Sequence, residues 1–369
     1  MPILVSGGVL GCGPTVVLPG ESGGGSGSAA TVDDTGASTA ASGSDGLADS
    51  TSSGGLGDPS GPCPEPIPGV AMLWCGQLDP EGPVASDGTW AYFDTADESL
   101  WRVPIAGGEA QGLAGGLGDL AALEVVDGQV YFVSFFAGLA GSVPVAGGPV
   151  RLLSESLFKP SSLAVGDGSV FVTQYGEGLS LVRYSIETGE AEELYPGLDY
   201  AGLVLVTGTG LWFATSTNDG NVPTPVWRGN TFGGPLQQVI APSVVIEDLW
   251  TEWGELWWLR YLSDDSGVML TELSDPPVDQ TLHQADAHPR YLAVTDARIY
   301  WSEHTYNGDA PYEERIRSIA RDGSDPQLHV VADQVGPVVA TPAGSIVSTI
   351  VVTDPDLGVD RGAVIRLDP

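Results

Sequence analysis

The chain has 369 residues, with 48 acidic against 13 basic side chains and a formal net charge of −35. Lys159 is its only lysine, so the sequence offers neither a phosphate-binding surface for nucleic acid nor a polybasic stretch for anionic lipid. The 52 Gly and 28 Pro are too many for a helical protein, and no run of about 18 apolar residues is present to span a membrane as a helix.

Residues 1–62 hold no Lys or Arg and six acids, Glu21, Asp33, Asp34, Asp45, Asp49 and Asp58. From Gly20 to Gly61 the composition is mostly Gly, Ser, Ala, Thr and Asp. Such a stretch cannot bury enough apolar surface to offset its ordering entropy. The expectation is a flexible linker over 13–62 with a reach of about 35–40 Å. Ahead of it, over 1–12, a short apolar segment runs into Val9-Leu10-Gly11-Cys12. These four residues resemble the lipobox of bacterial lipoproteins. The resemblance implies lipidation of Cys12 and export to a bacterial outer membrane or periplasm; the alternative is a plain secreted protein. In either case the membrane is reached only through a lipid. Cys63 and Cys75 then remain as an even pair, twelve residues apart, and a disulfide is expected there in an oxidising compartment.

From Pro64 onward the chain repeats. Asp87-Gly88, Asp127-Gly128 and Asp167-Gly168 fall forty residues apart, followed by Tyr92-Phe93, Tyr131-Phe132 and Phe171-Val172. The pattern continues with looser spacing at Trp212-Phe213, Trp257-Trp258, Tyr300-Trp301 and Val347-Ser348. Each unit reads as four short strands: an apolar one, an aromatic one after the turn, a third ending in a Gly-rich turn, and a more polar fourth. Four strands at this period predict an all-β, seven-bladed β-propeller over 63–369. The seventh unit ends after its third strand, while Gly69–Trp74 is an orphan strand before the first. Placing the orphan in the last blade closes the ring and removes an exposed edge.

Tyr300-Trp301-Ser302-Glu303, Tyr92-Phe93-Asp94-Thr95 and Trp212-Phe213-Ala214-Thr215 resemble degenerate YWTD repeats of low-density-lipoprotein-receptor propellers. The whole unit is similar to exported bacterial propeller lipoproteins of uncharacterised function. The resemblance speaks for the fold and is nearly silent about activity.

The recurrent aromatic row, from Tyr92 to Tyr300, is what blade-to-blade packing requires. Trp250, Trp253 and Trp258 in the fifth unit exceed that requirement and are candidates for aromatic binding. Aligning the loops that lead into the first strands gives a ring of Glu81, Asp119, Lys159, Tyr200, Val245, His288 and Val335. Its polar members are the candidate channel-face binding residues. Asp354, Asp356 and Asp360 alternate around Gly358 as weak calcium ligands, with a solvated loop as the plainer reading. Asn218–Asn221 and Asp264-Asp265 read as loops in the same way. The four histidines lack zinc spacing, and neither a nucleophile elbow nor a phosphate loop is present. No catalytic residue and no cofactor is therefore expected. The function expected is non-catalytic: a monomeric cell-envelope or extracellular binding or scaffold module presenting one propeller face to a protein, peptide or glycan. The alternative is a propeller enzyme of lactonase, cyclase or lyase type, or a small-ligand or metal binder at the central channel.

Overall fold

The structure is a computed structural model that describes residues 59–79, 81–176, 181–198, 201–208, 210–215, 225–240, 244–252, 254–261, 266–273, 277–305, 313–354 and 357–369. Cys12, Tyr200, Trp253, Asp356 and the two polar loops at 218–221 and 264–265 lie outside the described residues. Among the described residues the chain is all strand, turn and loop, and no helix is long and apolar enough to cross a membrane.

Seven sheets of antiparallel strands follow one another along the chain. The innermost strands of blades 1 to 6 are Val84–Ser86, Leu120–Val126, Pro160–Gly166, Ala201–Thr207, Val245–Glu252 and His288–Val294. In blade 7 the inner strand is broken into Gln334–Val335 and Val339–Ala340. The forty-residue spacing comes from the turns. Asp127 and Gly128 have φ of 50° and 74°, and Asp167 and Gly168 have 50° and 70°. Two successive left-handed residues match the twist of a two-residue hairpin, and Asp-Gly supplies them at low cost.

The orphan strand closes the ring. Val70–Gly76 lies antiparallel to Val359–Leu367, from Val70 opposite Leu367 to Gly76 opposite Gly362. Cys63 and Cys75 are disulfide-bonded with a Cα–Cα distance of 5.0 Å, which fastens the segment ahead of that closing strand to it.

The apolar core is divided among the interfaces between neighbouring blades. One cluster joins Leu73, Trp74, Val347 and Val364 of blade 7 to Val84, Phe93 and Val103 of blade 1. Another joins Tyr291, Tyr300 and Ile316 of blade 6 to Ile346, Ile350 and Ile365 of blade 7. The aromatic row sits in these seams: Tyr92, Phe171, Trp257 and Tyr300 are at most 1% exposed. Burying each such ring contributes about 2–3 kcal/mol.

Two polar devices also cross the seams. The first is an arginine reaching a carbonyl of the next blade. Arg151 donates to Ile186 O (2.7 Å), Arg183 to Thr231 O (3.1 Å) and Arg366 to Ile105 O (2.6 Å), and Arg102 donates to Val145 O. The second is a buried carboxylate accepting from the inner strand of the next blade. Val165 N–H donates to Glu124 Oε2 (2.7 Å), Leu292 N–H to Asp248 Oδ2 (2.7 Å) and Val335 N–H to Glu314 Oε2 (2.6 Å). Asp94 accepts from Thr95 N–H (2.9 Å) and from the backbone of Leu120. Burial pushes the carboxyls of Asp94, Glu124 and Asp248 up to about 8.

Candidate functional site

The inner strands are not regular. Where blades 2 to 6 begin, the pairing with the second strand slips by one residue. The residues left out of register are Ala121, Ser161, Gly202, Glu247, and Arg290 with Tyr291. A bulge re-aims the side chain it carries, so these positions form one level near the mouth of the channel. They lie two residues beyond the ring read from the sequence.

That level is lopsided. Ala121, Ser161 and Gly202 are small, and a Cβ built on Gly202 would meet nothing within 4 Å. Blades 5 and 6 present Glu247 and Arg290 instead. Around them stand His288 at the head of the blade 6 inner strand, His304 at the end of its second strand, and Glu314 near the start of its third. His288 and His304 are cross-strand partners.

The contacts are close. His288 Nε2 lies 2.9 Å from Glu247 Oε1, though too bent for a good hydrogen bond. The Tyr261 ring stacks on His288 with centroids 3.6 Å apart. His304 Nδ1 lies 2.5 Å from Glu314 Oε1, whose other oxygen takes the Val335 N–H. Arg290 lies between these pairs with its side chain 7% exposed. Its Nη1 is 3.8 Å from Glu314 and its Nη2 is 3.5 Å from Glu81. Its Nε is buried with no hydrogen-bond partner. Burial opposes its charge, but Tyr291, Glu81, Glu314 and Glu247 outweigh burial and hold its pKa above the usual value.

The Arg290–Glu81 contact fixes where this group sits. Arg290 belongs to blade 6, and Glu81 belongs to the loop entering blade 1. Blade 7 intervenes between them in the ring, so the contact is made across the inside of the mouth.

The candidates read from the sequence are placed as follows. Glu81 is half exposed and faces Arg290. Asp119 sits beside Asp79, Glu98 and Glu81, and burial followed by those charges raises its pKa. Lys159 is exposed, in a left-handed conformation (φ 45°), with its ammonium 5.7 Å and 5.9 Å from the rings of Phe135 and Phe158. Phe136 and Phe158 are exposed beside it, on the far side of the mouth from Arg290. Val245 and Val335 pack as partly and fully buried strand residues. Trp258 is buried in the seam between blades 4 and 5, and its indole N–H donates to Thr271 Oγ1 (2.9 Å). Trp250 packs partly buried against the seam between blades 5 and 6. Asp354 is paired with Arg361, and Asp360 accepts from Thr353 Oγ1 (2.8 Å). Among the described residues, no three His, Cys, Asp or Glu side chains are grouped to hold a metal.

Glu247, Arg290, His304 and Glu314 were not in the sequence ring. Their signal was present. Val-Val-Ile-Glu-Asp-Leu-Trp, over 244–250, puts two adjacent acids inside an apolar strand, and His-Pro-Arg-Tyr-Leu, over 288–292, puts a charge at the head of another. A cleft of about 290 Å³ on the outer strands of blades 3 and 4, lined by Glu192, Tyr195 and Phe232, has no such convergence. Its Glu192 is already paired with Arg183 at 2.6 Å.

No protein-family model matches the chain, and no curated protein matches its sequence. Solved structures match it widely. A chain of a nidogen/laminin complex aligns with a TM-score of 0.51 and 13% identity over 64% of this chain and 90% of that one. A catalytically inactive histidine-to-alanine form of virginiamycin B lyase from Staphylococcus aureus, with quinupristin, gives 0.57 and 14% over 81% and 99%. The Neurospora crassa Pan2 WD40 domain gives 0.54 and 14% over 84% and 98%. The chain is a seven-bladed β-propeller. These neighbours differ in what they do, and the likeness concerns the fold alone.

Proposed function

We propose that the protein is an exported binding module whose ligand sits at the mouth of the central channel, held by Glu247, His288, Arg290 and Glu314. The observation that carries this reading is Arg290. It is a nearly buried guanidinium on an inner strand, it reaches across the mouth to Glu81 at 3.5 Å, its Nη1 stands 3.8 Å from Glu314, and its Nε has no hydrogen-bond partner. The long Nη1 contact leaves a donor that a ligand oxygen at the mouth would meet. Gly202, at the same level, has open space where a Cβ would stand. The lipobox-like Val9–Cys12 and the polar segment behind it support display from a membrane through a lipidated Cys12.

The test is a fragment screen read by NMR. The chain has four histidines, so its imidazole C–H signals can be resolved and His288 assigned with His288→Gln. Small polar compounds should move the His288 signal, and both Arg290→Gln and Gly202→Leu should abolish the movement. A panel that leaves His288 still refutes the site.

A second reading is proton-transfer catalysis at the same place. It is favoured by the placement of His288 against Glu247 and by Arg290, a fixed cation where negative charge could develop. The virginiamycin B lyase neighbour, inactivated by loss of a histidine, fits this reading. Turnover of a bound compound that His288→Gln abolishes would establish it; binding without turnover would leave the first reading alone.

A further inference from the structure

We infer that the ligand of the channel-mouth site presents an ammonium group next to a carbonyl oxygen, as the free amino terminus of a peptide or an α-amino amide does. The inference rests on the site proposed above and is drawn from its donors and its charge.

Arg290 has five N–H donors. One of its nitrogens meets Glu81 at 3.5 Å, Nη1 comes no closer than 3.8 Å to Glu314, and Nε has no hydrogen-bond partner. The side chain is more than nine-tenths buried, so water cannot freely replace those bonds. Its planar fork suits an sp² oxygen. The ligand must therefore bring an acceptor.

The charge selects the rest of the ligand. Glu81, Glu247 and Glu314 surround one guanidinium. Three carboxylates thus face one guanidinium, with His288 against Glu247 and His304 against Glu314. Asp79, Glu98 and Asp119 add further carboxylates on the Glu81 side. A carboxylate or phosphate ligand would add negative charge to this field. A neutral glycan would satisfy Arg290 but leave the field unanswered, and a simple amine would answer the field but leave Arg290 unmet. Glu81 is the side chain open to a cation: it is 55% exposed, and Arg290 is its carboxylate's one partner among the described residues. An amino terminus supplies both halves. Its ammonium is charged at neutral pH, and its carbonyl oxygen lies about 3 Å from that nitrogen. The carbonyl faces Arg290 while the ammonium faces Glu81.

The experiment titrates the full chain with L-alaninamide and with N-acetyl-L-alaninamide at pH 7, following the His288 C–H signals. Alaninamide should move them, and the acetylated compound should bind at least ~10-fold more weakly. Glu81→Gln should weaken alaninamide several-fold and leave the acetylated compound unchanged. Its thermal midpoint should match that of the parent, because Glu81 is half exposed. Equal or tighter binding of the acetylated compound, or an unaltered affinity in Glu81→Gln, overturns the inference. If neither amide moves His288 while another fragment does, the ligand class is wrong and the site stands. If no compound moves it, both readings fall.

Discussion

Replacing Asp248 by asparagine should change how stability depends on pH, and the sign can be worked from the structure. Burial, reinforced by the charge of Glu247, pushes this carboxyl up to about 8 from 3.8, against the lowering effect of the Leu292 and Leu249 N–H donors. Below the unfolded pKa the group is protonated in both states, and its contribution to stability is fully present. As pH rises, the unfolded chain releases the proton first, so the folded state binds more protons between about 4 and 8. Stability must fall across that window, by about 1.4 kcal/mol per pH unit for this one group, and flatten above it. The asparagine variant lacks the slope. It also loses one of two hydrogen bonds, since its NH₂ faces a backbone N–H that the carboxyl accepted; that costs about 1–3 kcal/mol. Set against the parent's loss of about 1.4 kcal/mol per unit above pH 4, the variant should be the less stable protein near pH 4, cross the parent between about pH 4.5 and 6, and be the more stable by pH 8. Asp94 and Glu124 contribute slopes of the same sign to both proteins, so the difference isolates Asp248. Urea denaturation at pH 5, 6, 7 and 8, followed by tryptophan fluorescence, measures it. A parent-minus-variant difference that stays flat with pH would sink the reasoning.

Other perturbations bear on different parts of the molecule. Cys63→Ser with Cys75→Ser should cost about 3 kcal/mol by the loop-closure estimate, read as a lower urea midpoint, and a reducing agent should reproduce the loss in the parent alone. Gly202→Leu should leave the thermal midpoint within a degree or two, because the position is not left-handed and its Cβ would meet open space, yet it should block ligands at the mouth; a large drop in midpoint would mean the space is not there. Arg183→Lys should destabilise by about 1 kcal/mol in urea, since one ammonium cannot hold both Thr231 O and Glu192; an unchanged midpoint would show the seam does not depend on that fork.

The ring was legible because its causes are local. Asp-Gly needs only its own two residues to form a hairpin turn, so its forty-residue spacing survives in the sequence. The orphan strand was legible because strand edges must be paired or covered, so one surplus strand and one deficit imply each other. The site was legible only in part. His288 and Glu81 were found from their place in the loops, but the residues between them were missed. Sequence alignment assumes regular pairing, and here the pairing slips where the inner strands begin. A bulge depends on how two strands settle against the neighbouring blade, which the local sequence does not record. The buried acids were missed for a related reason. Glu124 and Asp248 look like surface residues until the next blade's N–H groups are placed beside them.

The composition itself acquires a reason in the seams. Twelve of the thirteen basic residues are arginine, and several do two things at once. Arg183 holds Thr231 O of the next blade and Glu192 of its own. Arg366 holds Ile105 O across the closing seam and Asp368 beside it. Arg102 holds Val145 O while bonding Gln111 (2.7 Å). A guanidinium can do this because its donors point outward in a fixed plane, and an ammonium cannot. Basic side chains placed this way are committed to binding blade to blade, leaving the outer surface acidic. Arg290 departs from the pattern. It stands on an inner strand, its carboxylate neighbours are held at 3.5 Å and 3.8 Å, and its Nε is left without a partner. A buried Nε without a hydrogen bond is shared with Arg366; what sets Arg290 apart is its place on an inner strand, where under the proposed function a ligand oxygen would complete its contacts.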